Sequence, residues 1–286
     1  MSAKFGPAGN GDSFKTAGFK KTMQTGEYLD RFGLDHFEYQ CGRGVKISEG
    51  SAAEFGKMLR EHNITVSVHA PYFISLSSLE EEKRNNSIDY ILQSARAVNA
   101  MGGDRIVIHC GSCSKISRAE AMSLASATLK KAREALVSEG LENIRCCPET
   151  MGKTNQLGDL GEVMQLCLID ESFIPCIDFG HLNARTFGSI KTKDDYKNIL
   201  DTMENSLGSE RLNNFHSHFS KIEYTEKGGE KKHLTFEDNI YGPRFEPLME
   251  LIAEKDLSPV FICESAGTQA EDAQTMKEYY TKIRNA

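Results

Sequence analysis

Six short segments of this chain run from an apolar, strand-like stretch into a residue type that ligates metals. They are VSVHAPY (His69), RIVIHCG (His109), IRCCPET (Glu149), CIDFGH (Asp178 and His181), NNFHSH (His216) and VFICES (Glu264). Parallel strands that deliver imidazole or carboxylate at their C-terminal ends build the active sites of α/β barrels. Six along one chain point to a site for more than one metal ion.

The rest of the sequence fits that architecture. Eight strand-like runs occur, at Lys4–Ala8, His36–Cys41, Thr65–Ala70, Arg105–Cys110, Ile144–Glu149, Ile174–Phe179, Asn214–Ile222 and Pro259–Glu264. Segments of helical period separate them, among them Ser51–His62, Glu80–Met101, Arg118–Ser138, Leu160–Leu168, Asp194–Ser206, Phe245–Glu254 and Ala270–Ile283. In Glu80–Met101 one stripe carries Ile88, Ile91, Leu92, Ala95 and Val98. Strands alternating with helices over 286 residues predict an α/β fold, a single (β/α)8 TIM barrel filling 1–286. A doubly wound open sheet is the competing fold. It would need fewer strands and usually a glycine-rich phosphate fingerprint, which the sequence lacks. The polar stretch Tyr224–His233 and the stretch Gly6–Gly18 read as loops.

No run of about 18 apolar residues exists, so no membrane helix is expected. The N-terminus has no long apolar core of the secretory kind, and a cytoplasmic protein is expected. Seven of the eight cysteines sit in or beside apolar runs and Cys113 sits in a loop, the pattern of small buried residues in a reducing compartment. Cys110 and Cys113 form one CxxC, with no second pair at zinc-site spacing. A formal charge of -7 argues against a broadly basic nucleic-acid surface, although bound divalent cations would add local positive charge.

His69 and His109 end consecutive strands, which puts two imidazoles on one rim. Glu149 has two oxygens and could bridge two ions. Asp178 and His181 flank a strand-to-helix turn that Gly180 lets close tightly. His216 supplies a ligand from the seventh strand, and His218 faces the same side one step further on. Glu264 ends the eighth strand, and His233 can reach over the mouth from its loop. His36 and His62 precede strands, at the opposite end, and are given no role. Imidazole and carboxylate without thiolate suit Zn²⁺, Mn²⁺ or Fe²⁺. Two such ions would serve phosphodiester cleavage; a single ion would suit sugar isomerisation or epimerisation.

HAPY, IVIHCG, PET, IDFGHLNAR, the H-x-x-x-S-K segment His216–Lys221 and the ES of Glu264 resemble endonuclease IV, a family of zinc-dependent apurinic/apyrimidinic endonucleases on a (β/α)8 barrel. The resemblance spans the third strand to the end of the eighth. It implies DNA containing abasic sites as the partner, cleavage 5′ to the lesion through a metal-bound hydroxide in base-excision repair, and a monomer holding two or three zinc ions. It further implies that His69 and His109 bind the first ion with Glu149 bridging. Asp178, His216 and Glu264 hold the second beside Glu149, and His181 and His233 the third. Glu149 and Glu264 become the catalytic carboxylates. Tyr72, Arg43, His218 and Lys221 become substrate-binding residues. The chain departs from the family in three respects. Lys231 stands where the family has an aspartate ligand, with Glu230 adjacent as a substitute if the loop shifts. The loop after the second strand, YQCGRGVKI, offers only Arg43 and Lys46. The charge is acidic, and tryptophan is absent. The same superfamily holds sugar and sugar-phosphate isomerases and epimerases, for which Glu38 and Gln40 would line a sugar pocket.

Overall fold

The computed structural model describes residues 2–286. Eight parallel strands form the barrel: β1 (Lys4–Pro7), β2 (His36–Gln40), β3 (Thr65–His69), β4 (Arg105–Ile108), β5 (Arg145–Pro148), β6 (Cys176–Asp178), β7 (His216–Phe219) and, last in sequence, β10 (Val260–Cys263). They pair in two four-stranded arcs, β2-β3-β4-β5 and β1-β10-β7-β6. Single parallel bridges, Ala8 to Glu38 and Glu149 to Cys176, close the ring at both seams. Each strand lies within one of the eight runs read from the sequence; most are apolar, as parallel strands buried on both faces are, while β2 and β7 carry polar side chains that pair with one another inside the barrel.

Helices wrap the outside. Glu49–Glu61 starts at Ser48, whose hydroxyl accepts from Ser51 N, and Arg118–Ser138 starts at Ser117 in the same way. Leu160–Cys167 has a capping box between Asp159 and Glu162. In Glu81–Met101 the stripe predicted from the sequence is the buried one, with Ile91, Ala95 and Val98 fully enclosed. All eight cysteines are free, seven of them buried. Among the described residues, no helix is long and apolar enough to cross a membrane.

The expected strand Asn214–Ile222 is interrupted. The barrel strand stops at Phe219, and Lys221 opens a separate antiparallel hairpin, β8 (Lys221–Thr225) with β9 (Gly229–Leu234). The stretch expected to be a loop is therefore mostly strand. Its alternation is masked because both faces are polar, so periodicity gave no signal there. The hairpin stands against the β5 exit loop through a bridge from Lys153 to Gly229, and against the helix Phe179–Arg185 that follows β6.

Candidate metal centre

At the C-terminal mouth the carboxylate of Glu149 is the hub. It follows β5, is 1% exposed, and meets four imidazoles: His69 Nε2 at 3.5 Å, His109 Nε2 at 3.3 Å, His218 Nδ1 at 3.0 Å and His181 Nδ1 at 3.5 Å. Its Oε2 and the Oδ2 of Asp178 are buried without a hydrogen-bond partner. Buried carboxylate oxygens are rarely left so. Two of them facing a ring of imidazoles fit divalent cations, and the donor set of nitrogen and oxygen suits Zn²⁺, Mn²⁺ or Fe²⁺.

Local geometry prepares these side chains. The Nδ1 of His69 lies 2.8 Å from the Ala70 carbonyl. A carbonyl only accepts, so Nδ1 carries the proton and Nε2 is free toward Glu149. Asp178 divides its two oxygens: Oδ1 accepts from His181 N at 2.7 Å and caps the helix Phe179–Arg185, while Oδ2 faces the site. Gly180 permits this for a reason other than turn freedom. A Cβ there would lie 2.5 Å from the Ser220 carbonyl, so only glycine lets the helix approach the end of β7.

The donors fall into groups. Glu149, Asp178, His218 and Glu264 bring one ligand atom each within 4.8 Å of one another, as do His69, Glu149 and His218. His109 joins through Glu149. A further group, His181, Glu230 and His233, stands to one side. His233 has its Nδ1 tied to Ser220 Oγ at 2.9 Å, and its Nε2 lies 4.0 Å from Glu230 Oε1. His181 holds Nδ1 against the Thr150 carbonyl at 2.9 Å and turns Nε2 to Glu230 Oε2 at 3.6 Å. Two free imidazole nitrogens thus converge on one carboxylate.

Glu230 reaches that place through a β-bulge. Glu223 pairs with Lys232 and Tyr224 with Glu230, so Lys231 is the extra residue and pairs with nothing in the ladder. An extra residue resets the alternation of side chains. Glu230 therefore shares the inward side with His233, and Lys231 turns out to bind Glu223. Gly152 makes room: a Cβ there would lie 2.6 Å from Glu230 Cβ and 2.9 Å from His181 Cδ2.

Other residues named from the sequence lie elsewhere. His216 is level with Cys176 and Val260, one layer below the rim, and its Nε2 binds Glu38 at 2.9 Å. It is not grouped with Glu149, Asp178 and Glu264. His218, level with Asp178, is the β7 imidazole grouped with Glu149, Asp178 and Glu264; it is wholly buried and does not line the cavity. Both face inward by alternation; the depth at which β7 meets the rim separates them. The Lys221 ammonium is bound by the carbonyls of Phe236, at 2.7 Å, and Asp238, and does not reach the mouth. Arg43 is exposed on the loop after β2 and does not line the cavity. Tyr72 is 57% exposed, with its ring stacked on His109 at 5.7 Å. Glu38 is wholly buried and does not line the cavity, whereas Gln40 does. His36 is buried within the barrel, between Thr65 Oγ1 at 2.8 Å and Ser67 Oγ at 3.0 Å.

The cavity over the centre has a volume of about 360 Å³. Gln40, Tyr72, Lys153, Gln156 and Gln269 line it above the acidic and imidazole groups. Lys153, Gln156 and Gln269 carry no strand-end signal, and sequence reasoning passed over them. Lys153 and Gln156 are set by a loop that Arg185 holds through the carbonyls of Met151, Lys153 and Gln156.

Electrostatics follow from burial. Desolvation pushes the Glu149 carboxyl up, but His218, His109 and His181 outweigh it and hold the group well below the usual range. Burial lowers the imidazoles of His181 and His218, yet they end well above their usual value, His181 mainly through Asp178 and Glu149, His218 through Cys176, Glu264, Glu38 and Glu149. His69 is raised as well; burial lowers it, and Glu149 outweighs that. His216 is pushed down to about 4 by burial, against the pull of Glu38.

Residues 27–282 match the model of the xylose isomerase-like TIM barrel family. The chain belongs to that family. An uncharacterized protein of Methanocaldococcus jannaschii is 33% identical over 255 residues, 88% of this chain and 90% of its own length. A probable endonuclease 4 of Mycoplasma pneumoniae is 26% identical over 76% of this chain and 72% of its own. Among solved structures, a D-tagatose 3-epimerase-like protein superposes with a TM-score of 0.73 over 99% of this chain and 98% of its own, at 16% identity. That likeness speaks to the fold alone.

Proposed function

We propose that this xylose isomerase-like barrel is a metal-dependent phosphodiesterase of the endonuclease IV type, cutting DNA 5′ to abasic sites. The observation that carries this reading is the triad His181, Glu230 and His233 standing beside the Glu149 group. Polarising one carbonyl of a sugar needs one cation. Displacement at phosphorus gains from cations on both the attacking and the leaving oxygen. The relative at 26% identity is itself named a probable endonuclease 4.

In this reading His69 and His109 hold a first ion with Glu149, and Glu149, Asp178, His218 and Glu264 a second. His181, Glu230 and His233 hold a third, zinc being the fitting metal. Bound ions would supply Lewis acidity and lower the pKa of water. Glu149, touched by four imidazoles, fixes the spacing of the first two positions. Glu264, 16% exposed and lining the cavity, is placed to orient the attacking water and take its proton. Lys153 offers an ammonium to a phosphate, and the exposed ring of Tyr72 offers a face on which a base or sugar can stack.

A sugar or sugar-phosphate isomerase or epimerase is the second reading. It is favoured by the compactness of the group Glu149, Asp178, His218 and Glu264, which would suffice for a single ion, and by three glutamine amides at the mouth suited to hydroxyl groups. One experiment separates the two. Metal-replete protein is incubated with a labelled duplex bearing one abasic analogue, and in parallel with a panel of ketoses and ketose phosphates. Incision 5′ to the analogue supports the first reading. Conversion of a ketose with the duplex intact replaces it with the second.

A further inference from the structure

Beneath the rim lies a carboxylate that the proposed chemistry does not use. Glu38, in the middle of β2, is 0% exposed and faces the barrel interior. Its Oε2 accepts from the Ser67 hydroxyl at 3.0 Å and lies 2.9 Å from His216 Nε2. Its Oε1 accepts from the Gln40 amide at 3.1 Å and lies 3.0 Å from His218 Nε2. The Glu38 side chain is itself fixed from below, since Ser67 Oγ meets His36 Nε2 at 3.0 Å and His36 Nδ1 meets Thr65 Oγ1 at 2.8 Å.

His218 is therefore held on both sides of its ring. Nδ1 lies 3.0 Å from Glu149 Oε1 and 3.5 Å from Glu264 Oε1, and Nε2 lies against Glu38. An imidazole that ligates through one nitrogen is oriented, and its tautomer chosen, by the partner of the other. The buried Nε2 contact is close but poorly aligned for a hydrogen bond. A small rotation of the ring as Nδ1 engages a cation would align it.

We propose that Glu38 is a positioning residue: it holds the proton of His218 on Nε2 and aims Nδ1 at the pocket formed by Glu149, Asp178 and Glu264, so that this position binds a divalent cation tightly. The inference rests on the reading of His218 as a metal ligand. Glu38 touches neither the cavity nor the substrate. Its effect on the cation position passes through His218; its contacts with Ser67, Gln40 and His216 hold it still.

The test uses chelator-stripped protein titrated with Co²⁺, following the visible absorption of each equivalent and competing with a chromophoric chelator. In Glu38→Gln one equivalent should bind about 10- to 100-fold more weakly, the loss typical of removing a ligand's outer partner. Its absorption band should change while those of the other equivalents stay as in wild type. Glu38→Asp, which keeps the charge but withdraws it, should give a smaller loss at the same equivalent. Ser67→Ala, which loosens Glu38 but keeps its charge, should weaken the same equivalent by less than Glu38→Gln does. Folded Glu38 variants with wild-type affinities and spectra overturn the proposal, and so does an equal cobalt defect in Ser67→Ala. Should neither Glu38 variant fold, nitrogen-15 spectra of the zinc-loaded wild type decide: a protonated Nε2 on His218 is expected, and a protonated Nδ1 overturns it. Wild type that binds no cobalt at all refutes instead the underlying assignment of His218 as a ligand.

Discussion

Glu149→Gln changes one oxygen of a carboxylate that is almost wholly enclosed, and its consequence can be worked out for the metal-free chain. Glu149 is 1% exposed and neutralises imidazoles 3.0–3.5 Å away. Its pKa is depressed from 4.5, so its contribution to stability is present above 4.5 and fades as pH falls through the depressed value. His181 and His218 are raised from 6.5, so theirs is present below 6.5 and fades as pH rises through the raised values. Both halves of the interaction are complete only between those limits, from pH 4.5 to 6.5. Within that window the amide removes the counter-charge that the buried imidazoles share, leaving Asp178 beside His181 and Glu38 beside His218, so the loss is at most about 3–5 kcal/mol. At roughly 2–4 °C per kcal/mol that lowers Tm by at most ~6–20 °C. Thermal unfolding by circular dichroism in the presence of chelator, at about pH 6 and again at about pH 10, measures it. The drop should be larger at the first pH than at the second, where the imidazoles hold less of their charge. An equal drop at both, or none at the first, refutes the electrostatic account.

Other consequences follow from the same geometry. Glu230→Gln should remove one equivalent of bound metal, whereas Lys231→Asp should leave the count unchanged because the bulge turns that side chain outward; the opposite result in elemental analysis would place the ligand at 231. Gly152→Ala should push Glu230 from His181 and weaken the same equivalent, at a cost of about 1–3 kcal/mol in folding stability read by denaturant unfolding. Metal uptake at pH 7 should release protons, because His69, His181 and His218 are all raised. Calorimetry in two buffers of different ionisation heat would report it, and a heat independent of buffer would contradict it.

The barrel was legible because alternating strands and helices leave a pattern that burial enforces along the whole chain. His69, His109, Glu149, Asp178 and Glu264 were legible for a related reason: each sits at or just past the last residue of a strand, where the chain leaves the sheet at the mouth. His216 and His218 show where that reasoning stops. Residues two apart in a strand share a face, and nothing local says which is level with the rim; the register of β7 against β6 and β10 decides it. Glu230 was visible only as a neighbour of the expected position, since a bulge in a polar hairpin leaves no periodic trace. Lys221 has the composition of a phosphate ligand, but its partners are carbonyls from a distant loop. Glu38 was placed with Gln40 at the exit of the second strand, but it lies mid-strand, and its partners are histidines far along the chain.

The number of metal ions per chain tests the central claim most directly. Protein produced in metal-replete medium, freed of loosely held ions and analysed by inductively coupled plasma mass spectrometry, should carry more than one tightly bound divalent ion per chain, and Glu230→Gln fewer. A single ion, held equally by wild type and Glu230→Gln, would contradict a centre built for phosphodiester cleavage.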